Sequence, residues 1–128
     1  MGIVRTEITL ANPSRSALAP VSVVALVDTG AIHLCIPEHL AIQLELRELE
    51  KREVTLANGQ RVALAYVGPI EIRFKNRRCF TGAMILGEEP LLGAIPMEDL
   101  DLVVVPGRQT VDVNPLNPNI PGSIAKRS

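Results

Sequence analysis

The run Val21-Ser22-Val23-Val24-Ala25-Leu26-Val27 is almost unbroken in its apolar character, and it leads straight into Asp28-Thr29-Gly30-Ala31. Val in that density favours a strand, because β-branched side chains pack well on a pleated surface. An apolar run without alternation is expected to be a strand covered on both faces. A carboxylate at the end of such a strand is held at a fixed place, and this constrains both the fold and the chemistry open to the chain.

The rest of the sequence agrees with a β architecture. Trp is absent, and Tyr66, Phe74 and Phe80 are the only aromatic residues of 128, so the core has to be built from Val, Ile, Leu and Ala. A chain of this length forms one domain with enough buried surface to need no disulfide or metal. Ile3 to Leu10 alternates as a strand, and Asn12 to Ser16 is a polar loop. Pro37 to Leu44, with Pro at a first helical position and Glu38 early, reads as a short helix. Glu45 to Arg52 is charged and unpatterned and is expected to be a connection.

The segment from Glu53 to Leu64 centres on Asn58-Gly59, a strong hairpin signal between alternating runs. A two-residue turn would put Val54 and Leu56 on the face opposite Val62 and Leu64. A three-residue loop, Ala57-Asn58-Gly59 with Gly59 left-handed, puts all four on one face, so parity favours it. Gly68-Pro69 interrupts the next pattern, and Ile70 to Phe74 restarts it. Lys75 to Arg78 is expected as a solvated turn into a strand from Cys79 to Leu86. Leu102 to Val105 and Thr110 to Val113 read as the last strands, with one helical turn at Pro96 to Leu100. Residues 1–113 form one domain in this reading, and 114–128 an extended tail.

Several function classes have little support. The net charge is −1 and the basic residues gather into no face, which with few aromatics argues against nucleic-acid binding. Ala17 to Val27 is too short to cross a bilayer and is broken by Pro20, so no membrane association is expected. Arg5 and Glu7 break the first ten residues, so no signal peptide is expected either, and the default is a soluble cytoplasmic protein. Cys35 and Cys79 lack metal or redox spacing and read as reduced, buried small hydrophobes.

Val27-Asp28-Thr29-Gly30-Ala31 after an apolar strand resembles the active-site loop of retropepsin-like aspartic proteases. Three features beside the loop extend the likeness. Leu34-Cys35-Ile36-Pro37 leads into a helix, the Asn58-Gly59 hairpin stands where the family places its flap, and Leu91-Leu92-Gly93 before Ala94-Ile95-Pro96-Met97 is similar to the family's second signature. The order and spacing match over residues 1 to about 105, and the Leu-Leu-Gly-Ala-Ile-Pro ending resembles bacterial single-domain members.

The resemblance implies an all-β, closed barrel-like fold with one or two short helices, working as a homodimer that hydrolyses peptide bonds without a cofactor or metal. Asp28 would be the catalytic carboxylate, supported by Thr29, Gly30 and Ala31, with Thr29 bonding the partner's loop. Ala57, Asn58, Gly59 and Gln60 would form the flap over the substrate. Leu91, Leu92 and Gly93 would pack under the active-site loop. The chemistry uses two carboxylates and the chain holds one Asp-Thr-Gly, so the second comes from an identical chain across a two-fold axis. Two carboxylates about 3 Å apart repel by roughly 5 kcal/mol at an effective dielectric near 20. They therefore share one proton and titrate as a pair.

Other readings stay open. Asp28-Thr29-Gly30 is also a common cap or turn sequence, and the same fold could serve as a non-catalytic peptide-binding or scaffolding dimer. His33, Cys35 and His39 admit a metal-dependent hydrolase, although their spacing across a strand-to-helix junction lacks the paired ligands usual at zinc. Glu88-Glu89 and Glu98-Asp99-Asp101 read as solvated loop charges and a first-turn helix bias.

Overall fold

The computed structural model describes residues 3–123. Strand β1 (Val4–Ala11) pairs antiparallel with β2 (Val21–Val27), from Val4 opposite Val27 to Leu10 opposite Val21. After β2 come the short β3 (Leu34–Ile36) and helix α1 (Glu38–Gln43). A long hairpin follows, β4 (Arg47–Thr55) and β5 (Arg61–Phe74), then β6 (Arg77–Ile85), β7 (Leu91–Leu92) and α2 (Ala94–Asp99). The strands run in the order β1-β2-β7-β3-β6-β5-β4, and a further pairing of β1 with β5 closes the first six into a barrel. Strands β8 (Leu102–Val105) and β9 (Thr110–Val113) form a separate two-stranded ribbon.

Alternation decides which side chains enter the barrel. On β1, Thr6, Ile8 and Leu10 are buried while Arg5 and Glu7 face out. On β5, Ile70, Ile72 and Phe74 point in, and they meet Leu34, Ile36, Ala83 and Leu92 in one aliphatic core. Each of the Ile, Leu and Phe side chains contributes about 1.5–3 kcal/mol by leaving water, and six strands curl round a filling that is aliphatic apart from Phe74.

The fold expected from the sequence is the fold observed: mostly strands in a closed barrel, with two short helices. Details differ. Strand β2 is not covered on both faces, since Val24 is 54% exposed and Ser22 is also outside; a barrel strand has one inner face, here marked by Ala25. Pro37 caps α1 with extended backbone instead of opening its first turn. Residues 47–52 are strand, not connection. This arm of the hairpin projects beyond the barrel, so residues 47–51 are exposed on both sides and carry no hydrophobic period. Backbone pairing to β5 holds it, with exposed ion pairs Lys51–Glu48 and Arg52–Glu50 at its surface.

Two further expectations are corrected. Gly68-Pro69 does not end a strand; β5 runs through it, with the pairing to β6 slipping between Val67 and Ile70. Arg77 is not solvated but 1% exposed. Its Nη2 donates to the carbonyl of Asn117, and it lies 4.0 Å from Asp101. Asp101 in turn is no solvated loop charge. The segment after β9, expected to be extended, runs in turns and bends from Pro115 to Ile120; residues 124–128 of that expected tail lie outside the described residues.

Candidate active site

Strand β2 delivers Asp28 to an exposed loop at the barrel's end. The parallel pairing of Leu26 and Val27 with Leu91 and Leu92 fixes that delivery. Leu26 N–H donates to the Pro90 carbonyl at 2.9 Å, and Asp28 N–H to the Leu92 carbonyl at 3.1 Å. The loop closes on itself as Ala31 N–H donates to the Asp28 carbonyl at 3.1 Å. Gly30 N–H donates to Asp28 Oδ1 at 2.9 Å, which fixes the carboxylate's rotamer. A β-carbon at Gly30 would sit 3.2 Å from that oxygen, so glycine keeps the carboxylate's flank open.

The second signature lies directly behind. Ala94 and Ile95 N–H, at the start of α2 where a helix lacks internal partners, donate to the carbonyls of Ala31 and Ile32 at 2.8 and 2.9 Å. Gly93 permits this approach: a β-carbon there would lie 2.5 Å from the His33 carbonyl oxygen and 2.7 Å from the Ile32 carbonyl carbon. Leu92 is fully buried beneath. Thus Asp28, Thr29, Gly30, Ala31, Leu91, Leu92 and Gly93 form one bonded unit.

The hairpin turns as parity required. Gly59 N–H donates to the Leu56 carbonyl at 2.9 Å and Leu56 N–H to the Gln60 carbonyl at 2.8 Å, leaving a three-residue loop with Gly59 at φ 86°. Asn58 Oδ1 accepts from Gln60 N–H at 2.9 Å. Val54 pairs with Val62, so Val54, Leu56, Val62 and Leu64 share one face. Between this face and the Asp28 loop lies a cleft of about 410 Å³, whose walls include Ala31, His33, Val54, Leu56, Leu64 and Met84. Ala57, Asn58 and Gly59 are at its outer, exposed end of the hairpin.

Sequence reading missed the stack that ties the hairpin to the loop. The Arg52 guanidinium lies 3.9 Å over the Tyr66 ring, and Tyr66 meets His33 edge-on with ring centres 6.1 Å apart. Gly82 makes room, since a β-carbon there would fall 2.2 Å from the Tyr66 ring. Burial, and then the Arg52 charge, hold the His33 pKa below its ordinary value. No local motif announces this arrangement, because its members come from three strands and a loop.

His33, Cys35 and His39 are not gathered: among the described residues no group of three His, Cys, Asp or Glu side chains is placed to hold a metal. Both cysteines are free; Cys79 is buried as expected, whereas Cys35 is only partly so, and burial raises the thiol pKa of both. No helix among the described residues is long and apolar enough to cross a membrane.

A closed barrel with its Asp-Thr-Gly loop bonded to a Leu-Leu-Gly turn defines the retropepsin-like class of aspartic proteases. A family model described as aspartyl protease matches residues 19–116, and the chain belongs to that family. Among solved structures it is similar to the EIAV protease complexed with the inhibitor HBY-793, with a TM-score of 0.57 and 18% identity over 77% of this chain and 88% of that one. Weaker matches are the Simian Foamy Virus (mac) protease, at 0.46 and 14% over 72% and 91% of the two chains, and a retropepsin-like aspartic protease from Rickettsia conorii, at 0.41 and 15% over 76% and 81%. At these identities the likeness is one of fold. No curated protein matches the chain.

Proposed function

We propose that the protein is a homodimeric aspartic endopeptidase in which Asp28 of two copies forms the catalytic pair. The observation that carries this reading is the exposed Asp28 carboxylate, oriented by Gly30 N–H and backed by Leu92, on a loop whose Gly30 and Ala31 wall a cleft under a hairpin, in a chain of the aspartyl protease family. One chain offers one such carboxylate, so a second copy supplies the other. Repulsion across the two-fold axis makes the pair hold a single proton. The ionised Asp28 takes a proton from water as it attacks the scissile carbonyl, and the protonated one donates a hydrogen bond to the carbonyl oxygen. Thr29 joins the two loops, and Ala31 leaves room for the substrate backbone.

The peptide lies extended in the cleft and adds to the strands by backbone hydrogen bonds. Ala57, Asn58, Gly59 and Gln60 close over it as the flap. The free thiols of Cys35 and Cys79 fit work in a reducing cytoplasm. The test is incubation with a mixed peptide library at several pH values, read by mass spectrometry. Hydrolysis that survives a chelator and stops with a statine-type transition-state analogue supports the reading. Peptide binding without hydrolysis at any pH favours the scaffolding alternative.

A further inference from the structure

The segment 114–123 is held to the barrel by a polar clamp with one residue at its centre. Asp101, in left-handed backbone at φ 54°, accepts from Asn114 Nδ2 at 3.0 Å, from Asn117 Nδ2 at 2.8 Å and from Gly122 N–H at 2.8 Å. The buried Arg77 donates to the Asn117 carbonyl, and Asn76 Nδ2 to the carbonyls of Pro118 and Asn119 at 2.9 and 3.2 Å. Gly122 packs against the Asn117 amide, since a β-carbon there would stand 2.7 Å from Asn117 Nδ2 and push that side chain aside. The family match ends at residue 116, so most of this strap lies beyond it.

The clamp returns the chain to one place. Gly122 and Ser123 wall an open cleft of about 730 Å³ whose other sides include Thr29, Met97 and Val104. Thr29 of the exposed Asp28 loop walls this cleft, which no hairpin residue lines, whereas Gly30 and Ala31 wall the cleft under the hairpin. On the reading above, that loop is incomplete until a second copy brings its own.

We infer that the strap is part of the subunit interface: clamped by Asp101 and Arg77, it walls the cleft beside Thr29 that receives the second copy. This rests on the homodimeric reading. The strap acts as a fixed wall and not as a plug that leaves. The cleft beside it is open, and the hydrogen bonds from Gly122 and Asn114 keep the Asp101 carboxyl below its ordinary pKa, which favours the ionised, clamping form. An interface gains from a segment ordered before association.

The test uses the full chain and single substitutions. Ser123→Trp places a bulky ring in the cleft from an exposed position, and Asn117→Ala removes one clamp bond while keeping the backbone partner of Arg77. Ser16→Trp, on the exposed loop after β1, is the control. Sedimentation velocity over a dilution series gives the dimer dissociation constant, and thermal unfolding reports the fold. The expected result is a constant raised by roughly tenfold or more for Ser123→Trp, the loss typical of an interface hot spot, a smaller rise for Asn117→Ala, and no change for the control. A dimeric wild type whose constant is unmoved by Ser123→Trp overturns the strap's role alone, as does a tighter dimer in Asn117→Ala. A wild type that stays monomeric at every concentration overturns the protease reading together with the strap.

Discussion

Asp28 hangs from Leu92: the N–H of the one donates to the carbonyl of the other at 3.1 Å, so the candidate carboxylate takes its position from a strand far off in sequence. The next residue, Gly93, brings the Ile32–His33 backbone against α2. A single added methyl should therefore be felt at the Asp28 loop.

Gly93→Ala is predicted to destabilise the fold by about 1–3 kcal/mol, as overpacking against backbone generally does, because the added carbon meets the Ile32–His33 backbone and the Ile32 carbonyl cannot move without breaking its bond from Ile95 N–H. Gly107→Ala, where nothing lies within 4 Å of the added carbon, should be close to neutral. Urea denaturation of both variants checks this; equal midpoints would show that the loop is not pinned as described.

Gly59→Val tests the hairpin tip. The position is left-handed with open space around it, so the cost is backbone strain of about 1–2 kcal/mol and not a clash. The tip touches no core, so peptide turnover should suffer more than the thermal midpoint. A variant with normal turnover would remove the flap role from Ala57-Asn58-Gly59.

How much of this was legible in the sequence follows from which interactions are local. The run into Asp28, the parity of Val54, Leu56, Val62 and Leu64, and the Leu91-Leu92-Gly93 turn are each set within a few residues, and each is visible as pattern. Arm 47–52 was not, because a strand exposed on both faces has no period to read; its β structure comes from pairing to β5. The burial of Arg77 was not, because its partners Asn117 and Asp101 are remote in sequence and one of them offers a backbone carbonyl. The Arg52–Tyr66–His33 stack was hidden for the same reason.

Cys79 gives a pH prediction. Burial first, and then the neighbouring Asp99 carboxylate, to which the thiol hydrogen-bonds, push its pKa from 9.0 to about 12. The fold thus favours the protonated thiol. That contribution is complete below pH 9 and is lost as pH rises from 9 towards 12. Denaturation midpoints should fall across that window in the wild type and fall less in Cys79→Ala. Equal slopes would assign the alkaline loss to other groups.

Peptide cleavage against pH, for the wild type and Asp28→Asn side by side, with dimerisation measured on the same samples, tests the central claim most directly. Asparagine keeps the size of Asp28, and its side-chain oxygen can still accept the Gly30 N–H, so the fold and the dimer should persist. The dimer should hold at least as well, since the like-charge repulsion is gone. The wild type should show a bell-shaped rate profile on the acid side of neutrality, set by the two apparent pKa values of the pair. The variant's turnover should fall by about a hundredfold or more, the lower end of what one acid–base group supplies. A folded Asp28→Asn dimer that cleaves at the wild-type rate would contradict the account.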